Sequence, residues 1–338
     1  MVASSDSFYM GLAIEEAWRY QLLTYPNPAV GAAIVDRCGR VVAVSAHKEA
    51  GKAHAEVLAA RDAYTILAKD ESLKDVDDAD TLHKELIRLS GDIFKSCTIY
   101  VTLEPCNHEG KTPPCSHLLA ELGFKRVVIG ADDPNVQASG GALFLKSRGA
   151  EVTTGVERLR CEELIEPFVK WSEGRFLFFK LAQTINGVID GGTISSFESR
   201  VWVHKVRSKL DRVVIGGNTV RVDRPILDSR YVESKAPDIS ILTRLPETID
   251  RATPLFGVNG REVEFINDVG ELPDKGLVMA EGGGGTLEAL RDKIDWMVLF
   301  VAPFIKEGMG YNGTAGFRVL HQDRVGKDIR LWLKAEDG

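Results

Sequence analysis

The chain has 338 residues, 44% of them hydrophobic and 27% charged, with a formal net charge of −7. That length is ample for two domains with separate cores, and the acidic balance argues against a nucleic-acid partner, whose phosphates select basic surfaces. No apolar run approaches the ~20 residues needed to span a bilayer. No basic segment followed by an apolar stretch and cleavage site opens the sequence, so neither export nor a membrane partner is expected. The five cysteines, Cys38, Cys97, Cys106, Cys115 and Cys161, are too few, and odd in number, for a disulfide framework; they fit a reducing, cytoplasmic setting.

In chain order, Met10, Ala13, Ile14 and Ala17 fall at helical spacing and predict a helix over 6–23, broken by the prolines of PNPAVG (26–31). Strands are expected over 32–36 and 40–46, a helix over 54–68, a strand over 97–103, a helix over 117–123, a strand over 126–132, a helix over 141–149 and a strand over 150–156. Between 69 and 96 lies a charged insert, DESLKDVDDAD followed by a helix-like HKELIRLSGDIF, expected to be a solvated surface excursion. Residues 157–175 read as a helical connector. The alternation then restarts with strands over 176–182, 211–217, 238–243, 262–267 and 276–282, a helix over 286–294, and strands over 296–302 and 328–334. The pattern predicts two α/β domains, 1–156 and 176–338, joined by 157–175.

The chemistry concentrates in the first domain. His54-Ala55-Glu56 opens a helix, and LEPCNHEGKTPPC (103–115) follows a strand. Zinc favours tetrahedral nitrogen and sulfur ligands with one position open in catalytic sites. His54, Cys106 and Cys115 supply three ligands, leaving the fourth position to water, whose pKa bound metal lowers to about 7. Glu56, two residues from its histidine, can reach that water without coordinating the metal and act as proton shuttle, as in zinc deaminases of bases. The usual signature is H-x-E with P-C-x-x-C, whereas here eight residues separate the cysteines. The bland reading, a helix-capping histidine and core cysteines, suffices for Cys38, Cys97 and Cys161, which lack ligand companions.

TYPNPAVG (24–31), AHKEAGKAHAE (46–56), TLEPCNHEGKTPPC (102–115) and DDPN (132–135) resemble the deaminase half of the RibD (RibG) family of bifunctional riboflavin-biosynthesis proteins. The resemblance implies a cytidine-deaminase-like three-layer domain acting on 2,5-diamino-6-(ribosylamino)-4(3H)-pyrimidinone 5′-phosphate, with Zn2+ as cofactor. It also implies that Asn27, His47, His108, Lys111, Asp133 and Asn135 bind that small phosphorylated pyrimidine. The residue chemistry agrees: Asn and His donate and accept around a polar ring, and Lys111 can meet the phosphate. Asn27 and Asp133 equally suit turns beside their prolines, and His108 equally suits a place behind the metal ligands. DPNVQASGG (133–141) departs from the DPNP common in the family.

KLAQTINGVIDG (180–191), GGNTVRVDRPILDSR (216–230) and AEGGGGTLEAL (280–290) resemble the family's reductase half, which implies a dihydrofolate-reductase-like domain using NADPH to reduce the ribosyl group to a ribityl chain. By the same resemblance Gln183, Thr193, Thr219, Asp223, Gly283, Gly284, Gly285 and Thr286 fall at cofactor positions, and Lys180, Arg207, Leu227, Arg230 and Glu281 at substrate positions. The two arginines suit a phosphate through their forked donors, and the glycine run, which is not a G-x-G-x-x-G, allows close backbone approach to one. Three departures stand out: the family's Trp-Ile-Thr is Thr193-Ile194-Ser195, its SLDG aspartate is Asn186, and Gln183 replaces a small residue. They are compatible with an active divergent half or with a deaminase carrying a degenerate one. The family also implies a homo-oligomer.

Overall fold

The structure, a computed structural model, describes residues 4–108, 110, 112–232 and 234–336. It divides into two compact units, Met1–Val169 and Lys170–Gly338. The division falls inside the helix that the sequence offers as a connector.

The first unit contains helix α1 (Ser4–Trp18), strands β1 (Gly31–Val35) and β2 (Val41–Ala46), helices α2 (Ala55–Ala68) and α3 (Ala79–Ser90), β3 (Thr98–Leu103), α4 (Cys115–Glu121), β4 (Arg126–Ala131), α5 (Gly141–Ser147), β5 (Glu151–Thr154) and the start of α6 (Arg158–Glu173). The strands form one sheet in the order β2-β1-β3-β4-β5. β1 is antiparallel to both β2 and β3, while β3, β4 and β5 run parallel. Every residue of β1 is buried, and all of β4 after Arg126, as expected of strands covered on both faces. Ala32, Ile34, Ile99, Val101, Val127 and Ile129 share a core with α2, α3 and α4. The alternate residue Tyr100 faces the other way and bonds Asp6 of α1 at 2.9 Å. This period of two separates the two faces of a three-layer α/β/α unit. Gly31 is required where α1 crosses β1, because a Cβ there would overlap the Ala13 carbonyl.

The insert is not the solvated excursion its charge suggests. Asp78 caps α3 by accepting from Thr81 N at 2.8 Å, and Leu82, His83 and Leu86 are buried. Leu73, Ala79 and Phe94 join the same core. Helical spacing places the charged residues of the segment on the opposite face. Cys38 also differs from expectation: it is exposed, whereas Cys97 and Cys161 are buried.

The second unit contains β6 (Arg175–Thr184), α7 (Phe197–Arg207), β7 (Arg212–Gly216), α8 (Gly217–Asp223), β8 (Asp238–Leu242), β9 (Val263–Ile266), β10 (Gly276–Glu281), α9 (Gly284–Leu290), β11 (Trp296–Ala302), β12 (Phe317–Val325) and β13 (Asp328–Ala335). Its sheet runs β12-β13-β11-β6-β10-β7-β8-β9. The six strands from β11 to β9 are parallel, and β13 and β12 are antiparallel additions at one edge. In such sheets ligands sit beyond the carboxyl ends of the parallel strands.

His83 gives a stability prediction. Burial, with a smaller push from His54, lowers its pKa to about 4, against about 6.5 when unfolded. Between those values the unfolded chain binds more protons, so stability falls as pH is lowered from 6.5 towards 4. In His83→Leu the stability lost between pH 7 and pH 5 should shrink by on the order of 1 kcal/mol. Thermal melts at the two pH values measure it, and an unaltered difference would show that His83 is not held neutral.

Candidate active sites

His54 occupies the N-cap position of α2, yet its side chain makes no capping bond. The imidazole turns instead towards two sulfurs. Nδ1 lies 3.7 Å from Cys106 Sγ and 3.4 Å from Cys115 Sγ. Cys106 follows β3, and Cys115 opens α4 with its backbone N–H donating to Cys106 Sγ at 3.4 Å. One ligand atom from each of the three residues lies within 4.8 Å of the others. A tetrahedral zinc with bonds of about 2.1 Å to nitrogen and about 2.3 Å to sulfur separates such a pair by about 3.6 Å, so the donor set fits this metal. A hydrogen bond with Cys115, aided by His54 and against the cost of burial, brings the Cys106 thiol down to about 4. The pair thus already holds a thiolate, the form that binds metal. Thr112 Oγ1 stands 3.4 Å from His54 Nε2, the outer partner that fixes which nitrogen faces the metal.

Glu56 lies in the first turn of α2 and is 4% exposed. Burial pushes its carboxyl up to about 7, against the opposing pull of His54. A carboxyl near neutrality can both take and return a proton at working pH.

His54, Glu56 and Cys106 open into a cavity of about 240 Å3 that is also lined by Asn27, His47, His108, Asp133 and Asn135. His47 Nδ1 donates to the Ala53 carbonyl at 3.2 Å, which leaves Nε2 to accept from Asn27 Nδ2 at 3.1 Å. Burial, then His54, lowers the His47 pKa to about 4, so this pair presents a neutral, oriented polar edge. Asp133 Oδ1 accepts from Asn135 N at 2.8 Å. The turn foreseen at Asp133 and the pocket position are therefore the same structure. Lys111 lies outside the described residues. Glu104, Thr112 and Phe168 also line the cavity. The sequence reading passed over Glu104 although it stands inside the quoted LEPC motif.

In the second unit a cavity of about 1300 Å3 opens at the carboxyl ends of β6, β7, β8 and β10. Lys180 and Glu281 are register partners on neighbouring strands β6 and β10. Arg207 Nη2 donates to Glu281 Oε1 at 2.6 Å. Burial raises the Glu281 carboxyl, but Arg207 and Lys180 outweigh it and keep it ionised. Arg207 Nε is buried without a partner. Lys180, Thr193, Arg207, Thr219, Asp223, Glu281, Gly283, Gly284, Gly285 and Thr286 all line this cavity.

Gln183, Leu227 and Arg230 are not among the lining residues. Arg230 Nε is engaged by Asp228 at 2.8 Å, and of the two arginines expected at substrate positions Arg207 is the one that lines the cavity. Leu227 is buried, and its carbonyl accepts from Arg261 Nη1 at 2.9 Å. Gln183 is half-buried on β6, opposite Val301 of β11. His204, three residues before Arg207, lines the cavity and packs its ring 4.3 Å from that of Tyr231; nothing in the sequence pattern singled it out.

The glycines make the wall. A Cβ on Gly216 would overlap Thr286 Oγ1, and Gly282 has φ +153. Without side chains at these two positions, the start of α9 closes on the end of β7 and leaves bare backbone facing the cavity. That lining, and a volume above the ~300–1,000 Å3 of ordinary small-molecule sites, fit a dinucleotide such as NADPH.

Two family models match the chain. The cytidine and deoxycytidylate deaminase zinc-binding region matches residues 3–131, and the RibD C-terminal domain matches residues 175–318. The riboflavin biosynthesis protein RibD of Aquifex aeolicus is 31% identical and covers 99% of both chains. The protein of that name from Mycobacterium tuberculosis is 36% identical over 88% of this chain and 85% of its own. A crystal structure of a diaminohydroxyphosphoribosylaminopyrimidine deaminase / 5-amino-6-(5-phosphoribosylamino)uracil reductase from Thermotoga maritima is 26% identical, with a TM-score of 0.66 over 98% of this chain and 99% of its own. The chain belongs to the RibD family. It is a bifunctional deaminase and reductase of riboflavin biosynthesis, with zinc and NADPH as cofactors.

Family membership gives Asn186 its context. Its Nδ2 donates to the Lys306 carbonyl at 2.9 Å, while Oδ1 accepts from Thr184 Oγ1 at 2.7 Å and from Lys306 N at 3.3 Å. Lys306 Nζ returns bonds to the carbonyls of Asp190 and Gly191. The segment that carries Ile189 to Ser195 along the cavity is thereby clasped to the 304–310 loop. An aspartate could not donate to the Lys306 carbonyl, so the asparagine at this position is a working part of this clasp.

The glycine wall yields a prediction. In Gly216→Ala the new methyl meets Thr286 Oγ1, and NADPH binding followed by fluorescence should weaken roughly tenfold or more. Adding Thr286→Ala removes the obstructing oxygen and should restore part of the affinity. Equal binding in wild type and Gly216→Ala would dismiss the cradle.

Proposed function

We propose that the first unit hydrolyses the ring amine of 2,5-diamino-6-(ribosylamino)-4(3H)-pyrimidinone 5′-phosphate. The second then reduces 5-amino-6-(5-phosphoribosylamino)uracil to its ribityl product. The domains doing so are residues 1–156 and 176–338. The observation that carries the reading is the convergence of His54, Cys106 and Cys115 beside the buried carboxyl of Glu56.

His54, Cys106 and Cys115 would hold zinc, which when bound would supply activation of a water at neutral pH. Glu56 would take one proton from the attacking water and give it to the ring nitrogen, then take the second from the added hydroxyl and give it to the leaving amine, so that water and amine become carbonyl and ammonia. Asn27 and His47 hold the ring edge, their orientation fixed by the Ala53 carbonyl. Asp133 and Asn135 close the opposite side.

NADPH supplies the hydride for the second step. Lys180, Arg207 and Glu281 bind and orient the ribosyl phosphate: the cations attract the anion, and the Glu281 carboxylate accepts from sugar hydroxyls. Among the described residues no helix is long and apolar enough to cross a membrane. The five cysteines are all unbridged, which supports work in a reducing cytoplasm. A homo-oligomer completes the reading. It is supported by the edge strand β12, where Val319 is 53% exposed, since uncovered edges invite pairing; light scattering of the purified protein tests it.

Glu56→Gln should cut ammonia release by about 10²–10⁴-fold while metal analysis still finds zinc. Normal turnover in that variant would remove Glu56 from the chemistry. Stripping zinc with a chelator should abolish deamination yet leave NADPH oxidation with the deaminated ribosyl substrate intact, read as loss of nicotinamide absorbance. Absence of that oxidation in the untreated protein would reduce the chain to a deaminase.

A further inference from the structure

We infer that Glu104 is a positioning residue of the deaminase, the peg that holds the substrate-binding loop 132–140 in register with the metal ligands. The inference rests on the deaminase reading above. Three backbone N–H groups converge on this one side chain. Oε1 accepts from Gly140 N at 3.2 Å and from Ala142 N at 2.9 Å, and Oε2 accepts from Asp133 N at 3.4 Å. These amides belong to the start of the loop, its end and the first turn of α5. One carboxylate therefore closes the loop at its base. Only an ionised carboxylate offers acceptors on both oxygens and no donor to conflict with them.

The rest of the loop is built to depend on that base. Asp133 and Asn135 each bond the amide two residues on, Asn135 N at 2.8 Å and Gln137 N at 3.1 Å. Ala138 N returns to the Asn135 carbonyl at 2.9 Å. These local turns make the loop a rigid unit but do not fix where it stands. Two backbone bonds tie it to the metal-bearing segment, Glu104 N to the Ala131 carbonyl and Asn107 N to the Ala138 carbonyl, each at 2.9 Å. The Glu104 side chain supplies the remaining ties. Behind it, Gly141 packs so closely that a Cβ would overlap the Pro105 carbonyl, so α5 cannot move inward to compensate. Glu104 stands two residues before Cys106. The segment that carries a metal ligand thus also places Asp133 and Asn135, and the Glu104 side chain supplies three of the bonds that do so.

The test is a comparison of wild type, Glu104→Gln and Glu104→Ala as full-length, zinc-loaded protein. Each is assayed for deamination kinetics, zinc content and amide hydrogen exchange. Glutamine can point its oxygen at Gly140 and Ala142 but then presents an NH2 to the Asp133 amide. The expected result is graded: KM for the diaminopyrimidine rises a few-fold in Glu104→Gln and roughly tenfold or more in Glu104→Ala. kcat and zinc content stay close to wild type. Exchange quickens at Asp133 alone in the glutamine variant, and at Asp133, Gly140 and Ala142 in the alanine variant. A raised KM with unchanged exchange at those amides would make Glu104 a direct substrate contact and overturn the proposal. So would an unchanged KM, or a loss of zinc that accounts for the loss of activity. If wild type itself releases no ammonia, the deaminase reading fails instead, and the exchange data still report whether the peg exists.

Discussion

An imidazole nitrogen 3.4 and 3.7 Å from two sulfurs, with all three atoms within 4.8 Å of one another, is the constraint on which the first unit's chemistry depends. The hydrogen bond with Cys106, and then burial, drive the Cys115 thiol well above its ordinary value while Cys106 is drawn down. Metal held by such a cluster would contribute its binding energy to folding of the segments it joins. Those segments are the start of α2, the end of β3 and the start of α4. None is in sequence contact with the others, and the apolar core beneath them, from Ala55 and Val57 to Val101 and Leu118, brings them together. The chemistry is thus a consequence of where the sheet ends rather than an addition to it.

The second unit applies the same geometry to a different problem. Its parallel strands deliver Lys180 from β6, Gly216 from β7, Leu242 from β8 and Glu281 from β10 to one rim. Three charged side chains, Lys180, Arg207 and Glu281, meet there in a partly desolvated cluster. A carboxylate between two cations is stable only because the Coulomb attraction exceeds the desolvation cost. Burial lowers the Lys180 pKa while Glu281 opposes that shift, and Lys180 and Arg207 place two cationic groups at the cavity for a phosphorylated substrate.

Much of this was legible in the sequence, for identifiable reasons. The buried strands β1, β3, β4, β6, β10 and β11 read clearly because both faces are apolar and the runs are bounded by turns. The cluster of His54, Cys106 and Cys115 beside Glu56 was legible because metal chemistry tolerates few residue types at few spacings. The strand β12 was not, since its apolar residues Phe317, Val319, Leu320 and Val325 follow no period of two and none of its residues is fully buried at the sheet edge. The helix α7 was missed because its apolar residues Trp202, Val203 and Val206 sit among five charged or histidine neighbours. In the insert, charge density concealed the buried stripe of Ala79, Leu82, His83, Leu86 and Ser90. The pocket residues divide the same way. Asn27 and His47 lie 20 positions apart, and only folding shows that they bond each other, while Glu104 acts on backbone amides that any sequence possesses.

The departures in the reductase half show how a residue that looks like decay can be a compensated exchange. Asn186 would signal lost function if its position served the cofactor directly. Its amide instead bridges two loops, using a donor that an aspartate lacks. Gln183, bulkier than the family's small residue, is not among the residues lining the cavity, so its volume narrows nothing there. Thr193, Ile194 and Ser195 of the altered run all line the cavity, and Ile194 is buried. The Arg207–Glu281 pair at 2.6 Å is partly desolvated, and losing either partner would leave the other charge uncompensated. Its retention beside two glycines that only close approach requires is the signature of a site still under the constraint of binding something.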